Sequence, residues 1–204
     1  MDLMWVLVIN SKSNWHRKSD IGMLVFNRHD LGISSMLIVL GAMLFLIAFS
    51  VSARGIYQTD QDFLTETFNN SIPKSKVVWV KGDLKQEVSD ILGHPYLGLR
   101  IRYWPQQTET AWILEEIGKT EPITFGVVII DDKVASIRVL EFRESRGAEI
   151  RHPVFTKQFE GASLKGQQLD RTIDGISGAT LSVRAINAVA RLALYLHAKV
   201  APLD

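Results

Sequence analysis

The sequence predicts an α+β fold: an antiparallel meander sheet packed with flanking helices, preceded by one N-terminal helix that is a transmembrane anchor or a signal peptide. Three observations predict it. From Leu97 to Phe142 apolar and polar residues alternate in runs broken by short polar turns, the pattern of consecutive antiparallel strands. On either side of that region apolar residues recur at helical spacing. Ahead of both, residues 33–51 form an uncharged apolar run close to the ~20 residues that cross a bilayer. The expected organisation is a cytoplasmic segment at 1–32, the anchor or signal peptide at 33–53, and an extracytoplasmic domain at 54–204.

Orientation follows from charge. Lys12, Arg17, Lys18 and Arg28 outnumber Asp2, Asp20 and Asp30 ahead of the apolar run, which keeps the N-terminus in the cytoplasm and sends the body across the membrane. Val51-Ser52-Ala53 has the small residues a signal peptidase prefers, so retained anchor and cleaved signal both remain open, and Met23 is an alternative start. The expected location is the cytoplasmic membrane with the domain on its periplasmic side, or the periplasm if the signal is cleaved.

The elements then follow in order. Phe63, Leu64 and Phe68 give a first helix, stopped by Asn69-Asn70-Ser71. Lys76–Lys81 reads as a strand. Asp83 is expected to cap a second helix with Gln86 in the capping-box position, and Gly93 and Pro95 end it. Leu99, Ile101 and Tyr103 alternate with Arg100 and Arg102 in a half-buried strand, and the segment from Pro105 to Glu109 turns the chain. Thr110–Ile117, Ile123–Ile130 and Val134–Phe142 complete the meander, with Asp131-Asp132-Lys133 as the last turn. Trp104 and Trp112 are either sheet-packing residues or a platform for a flat ligand. The closing helix runs from Leu181 to about His197, burying Ile186, Val189, Leu192, Ala193 and Leu196, with His197 and Lys199 suited to its negative end.

Composition excludes several functions. Net charge is +1, and the residues after position 53 hold no basic stripe, so no nucleic-acid partner is expected. Cysteine is absent, which removes disulfides, thiolate metal sites and iron–sulfur ligation. The histidines have no i,i+4 or short-loop partner, so no metal site is expected. No G-x-G-x-x-G follows a strand, so no nicotinamide site is expected either.

The chemistry concentrates at Asp174-Gly175-Ile176-Ser177-Gly178-Ala179-Thr180, which runs into Leu181-Ser182-Val183-Arg184. Bare glycine backbone before a helix leaves free N–H groups and the positive dipole end facing an anion. No carboxylate occurs from Gly175 to Leu203, although a helix start favours Asp or Glu. The negative charge is then expected to arrive with a ligand. Read on residues alone, the same stretch is also a Ser/Thr-capped helix after a glycine turn.

Asp-x-x-Ser-Gly-Ala-Thr at 174–180 resembles the flavinylation motif of the FMN-binding domain family, found in the covalently flavinylated components of the sodium-pumping NADH:quinone oxidoreductase and of the Rnf complex. The resemblance implies FMN joined through its phosphate to Thr180 by a separate flavin transferase. Asp174, Ser177, Gly178 and Ala179 would form the segment the transferase reads and then, with Ser182, the phosphate cradle. Arg184, one turn on, would neutralise the phosphodiester. A second family segment, Glu-Thr-Pro-Gly-Leu-Gly, lines the flavin, and here Glu144-Ser145-Arg146-Gly147 matches it at Glu144 and Gly147. As composition alone, residues 141–161 read as a solvated loop of mutually neutralising charges. The function implied is a carrier passing electrons between membrane or exported redox proteins or quinone. The alternatives are a module holding FMN non-covalently and a membrane-tethered scaffold with no cofactor.

Overall fold

The computed structural model describes residues 55–200. The N-terminal segment at 1–32, the apolar run at 33–53 and the boundary between 53 and 54 lie outside the described residues. Among the described residues no helix is long and apolar enough to cross a membrane.

The fold is α+β with an antiparallel sheet. The strands are β1 (Gly55–Ile56), β2 (Lys76–Trp79), β3 (Arg100–Gln106), β4 (Glu109–Ile117), β5 (Pro122–Ile130) and β6 (Lys133–Phe142), and they form one six-stranded sheet in the order β1-β6-β5-β4-β3-β2. The predicted meander is its centre. β7 (Leu164–Lys165) and β8 (Gln168–Leu169) make a separate small hairpin. The helices are α1 (Asp60–Thr67), α2 (Asp83–Leu92), α3 (Pro153–Thr156) and α4 (Thr180–Val200).

Period-two alternation puts a different core on each face of the sheet. Trp112 and Leu114 of β4, and Ile123, Phe125, Val127 and Ile129 of β5, join the large cluster that α2 and α4 cover. Ala111 and Val128, one residue out of phase, join Phe63, Leu64 and Phe68 of α1 in a smaller cluster. Gly126 is the contact point on that side, since a Cβ there would stand 2.7 Å from the Phe63 ring. β6 holds the alternation only in stretches, because its register against β5 shifts at Thr124/Phe125 and Val128/Ile129.

Several local expectations are corrected. The N-cap of α2 is Gly82, with φ 58° and no side-chain bond, and Gln86 Nε2 donates to Asp90 Oδ1 at 2.8 Å. Asp83 therefore lies inside the first turn, where its charge still suits the dipole. Leu99 stands exposed ahead of β3 and so is not part of its buried row. Pro105 pairs with Thr110 within the β3–β4 ladder, and the turn contracts to Gln107-Thr108 with Gln107 at φ 51°. Trp112 is fully buried and stacks on Tyr103 at 4.9 Å, a packing residue with no face for a ligand. His197 is buried as well, which sets it apart from the exposed Lys199 as a complement to the helix dipole.

Candidate functional site

The motif lies where α4 begins, and each of its residues has a distinct position. Thr180 is the first helical residue and is exposed. Gly178, two positions earlier, has φ 83°, a left-handed conformation that favours glycine. Between them Ala179 is buried, its N–H donating to the Ile176 carbonyl at 3.0 Å. Ser182 is buried one turn in, whereas Ser177 and Arg184 are exposed. The first turn of α4 contains no acidic residue.

Two contacts hold the approach to the motif. Asp174 is exposed, and its N–H donates to Gln158 Oε1 at 2.7 Å. Arg171 donates to the carbonyls of Glu160 (3.0 Å) and Gly161 (2.8 Å), and its Nε to Asp170 Oδ1 at 3.0 Å. The segment leading into Thr180 is thereby fastened to the aromatic turn around Phe159.

Gly147 is brought against the start of α4. It has φ 93°, and a Cβ there would stand 2.4 Å from Ser182 Oγ and 3.5 Å from Ala179 Cβ. The two segments of the sequence resemblance therefore meet, and their small residues are what let them do so. Glu144 takes a different part. Its buried carboxylate turns to the β4–β5 connection, where Oε1 accepts the N–H groups of Lys119 (2.5 Å), Thr120 (2.6 Å) and Glu121 (2.8 Å). Burial pushes its pKa up, but the backbone N–H groups outweigh that and hold it below the ordinary carboxylate value.

Sequence reasoning missed a second feature at this end of the sheet. His94 Nε2 lies 2.9 Å from Glu116 Oε1, and His94 Nδ1 lies 3.2 Å from the Pro95 carbonyl. Burial opposes charge on His94, yet its bonds to Glu116 and Pro95 leave the pKa raised. Burial also raises Glu116, in part countered by His94 and by the charge of Arg184. Both residues line a cleft of about 760 Å³ at the ends of β3 and β4. The signal was present in β4: Glu116 shares the inward phase of Trp112 and Leu114, where alternation calls for an apolar residue.

Residues 118–195 match the family model described as FMN-binding domain. The chain carries an FMN-binding domain. The matched range takes in β5, β6, the Glu144–Gly147 loop, the motif and most of α4. No curated protein matches the chain. The match supports FMN as the cofactor, and the residues present suit a group that ends in a phosphate. A Cβ at Gly175 or Gly178 would meet nothing within 4 Å, so the backbone beside Thr180 is open. The FMN-binding domain thus offers an exposed hydroxyl, a helix N-terminus without carboxylates and an exposed guanidinium four residues on.

Proposed function

We propose that this FMN-binding domain is an extracytoplasmic electron carrier whose FMN is esterified through its phosphate to Thr180 Oγ1. The observation that carries the reading is the placement of Thr180. It is the exposed hydroxyl at the first residue of a 21-residue helix whose opening turn holds no acid. Ser182, the other hydroxyl in the first turn of α4, is buried, so within that turn the open hydroxyl is the threonine's.

When bound, the isoalloxazine ring supplies the redox chemistry. The residues of the chain do the holding. Gly178 and Ala179 keep the backbone bare beside the phosphate, and the helix N-terminus and Arg184 balance its charge. Gly147 fixes the position of the helix start through Ser182 and Ala179. Asp174 and Ser177 stay exposed for a flavin transferase to read. An ester bond keeps the cofactor outside the cytoplasm, where a dissociable one would be lost by mass action. Electron donors and acceptors would be membrane or exported redox proteins or quinone.

The test is the intact mass of the full chain co-expressed with a flavin transferase, beside Thr180→Ala. A gain of one FMN less one water that survives denaturation and vanishes in the variant is the expected result. No gain in a host with active transferase overturns the ester. Flavin that co-purifies with Thr180→Ala but leaves on denaturation would point to reversible binding instead.

A further inference from the structure

The two ends of the sheet differ in what they show to solvent. At the end where α4 begins, Leu97 is 87% exposed, Leu99 71%, Ile56 68% and Trp79 59%, and Ile117 is half exposed. Ile56, Leu97 and Ile117 lie around one cleft. Trp79 and Leu99 adjoin it, since Trp79 pairs with Arg100 and Val80 N–H donates to the Leu99 carbonyl at 3.0 Å. The opposite end closes in the polar turns Gln107-Thr108 and Asp131-Asp132.

The leucines are displayed by local design. Gly98 leaves room for the Tyr96 ring, which a Cβ there would meet at 2.5 Å. Tyr96 packs on the large core and its N–H donates to Ser89 Oγ at 3.0 Å. With Tyr96 drawn inward, Leu97 and Leu99 on either side of Gly98 are left facing water. Five large apolar side chains gathered at one end exceed the scatter ordinary for a surface.

The chain enters the domain at this same end. Gly55 opens β1 opposite Phe142, and Phe142 lies opposite Ile123. The apolar run at 33–51 closes four positions before Gly55. Arg100 and Lys119 are exposed at these strand ends, and neither is in an ion pair among the described residues. The other charges around the cleft are mixed: Asp60 and Arg102 line it, Arg143 pairs with Glu115 and Glu141, and His94 with Glu116.

We propose that this end of the domain docks on the lipid bilayer surface, with Ile56, Trp79, Leu97 and Leu99 in the headgroup layer and Thr180 turned toward the membrane. Tryptophan with aliphatic neighbours suits the boundary between headgroups and acyl chains, and Arg100 and Lys119 suit lipid phosphates. The proposal rests on the reading of residues 33–51 as a retained anchor. It places the flavin attachment point where exchange with a quinone or a membrane-embedded protein needs no large excursion.

The absence of cysteine makes the test direct. Leu97→Cys, Leu99→Cys and Thr108→Cys are each made in the full chain, labelled with an environment-sensitive dye, and reconstituted into nanodiscs of phosphatidylcholine and phosphatidylglycerol. Part of the lipid carries a headgroup nitroxide quencher. All three positions are exposed, and circular dichroism confirms that the variants fold. Quenching several-fold stronger at Leu97 and Leu99 than at Thr108 is the expected result. Equal quenching at all three positions overturns the proposal. So does a dye response in lipid-free detergent that grows with protein concentration, which would assign the surface to a second copy. A labelled mass lacking residues 1–53 overturns it through its premise. The readout needs no flavin, so its failure and that of the Thr180 ester are told apart.

Discussion

Glu144 gathers three consecutive amides onto one carboxylate oxygen and so ties the β4–β5 connection to the segment that follows β6. Replacing it with alanine would leave those N–H groups short of an acceptor, at about 1–3 kcal/mol for each one that stays buried. Glu144→Ala is therefore expected to lower the urea midpoint by an amount corresponding to about 3 kcal/mol, with Glu144→Gln milder. The pH dependence has a definite sign. The folded-state pKa is depressed, so the stabilisation is complete above the unfolded carboxylate value and is lost as pH falls through the folded one. Urea midpoints measured down to acid pH should converge for wild type and Glu144→Gln. A constant gap between them would show that the carboxylate's charge is not what matters. Asp170 behaves alike: its bond to Arg171 and the N–H of Ser163 hold its pKa at about 2, so it stays ionised below the usual carboxylate range.

At the scale of elements, α4 links two unlike ends, and its far end carries a buried histidine. Thr110 Oγ1 accepts the Trp112 Nε1 proton at 2.8 Å and bonds His197 Nδ1 at 2.7 Å, in a direction set by the tautomer of the ring. Burial lowers the pKa of His197, and Asp132 and Asp131 counter it only in part. NMR titration of the imidazole should give a value below the ordinary ~6.5. Stability from this group is full above the unfolded value and is lost as pH falls toward the folded one. A measured value at or above the ordinary one would show that Asp132 and Asp131 outweigh burial. Much of α4 was legible in the sequence, because Ile186, Val189, Leu192 and Leu196 recur at helical spacing and the chain before Thr180 is small and polar. The burial of His197 was not legible, since its partner lies 87 residues away in β4. The same limit explains Glu144. A family motif marked the residue, but its partners belong to a turn that sequence spacing does not connect to it. Gly82 in place of Asp83 at the start of α2 is a smaller case, where a glycine at φ 58° stands at the N-cap with no side-chain bond.

At the scale of the whole domain, the sheet separates two cores of unequal size. The cluster under α2 and α4 holds most of the large buried residues, whereas α1 rests on a small one built from Phe63, Leu64, Phe68, Ala111, Val128 and Leu140. Local opening follows buried contact, so amide exchange should be faster in α1 than at Ile186–Leu196 of α4. Equal protection in both helices would mean that the two faces open only together. The division was half visible beforehand: the strand alternation gave each strand two faces, but nothing in it said that one helix would cover one face and two the other.

The length of α4 has a practical consequence. At ~1.5 Å per residue the helix runs roughly 30 Å, so Thr180 and the polar turns at Thr108 and Asp131-Asp132 lie at opposite poles. A linker placed at Thr108 would immobilise the protein with Thr180 facing away from the support. Such an orientation would suit a sensor chip, with the pole that carries Thr180 left open to the solution.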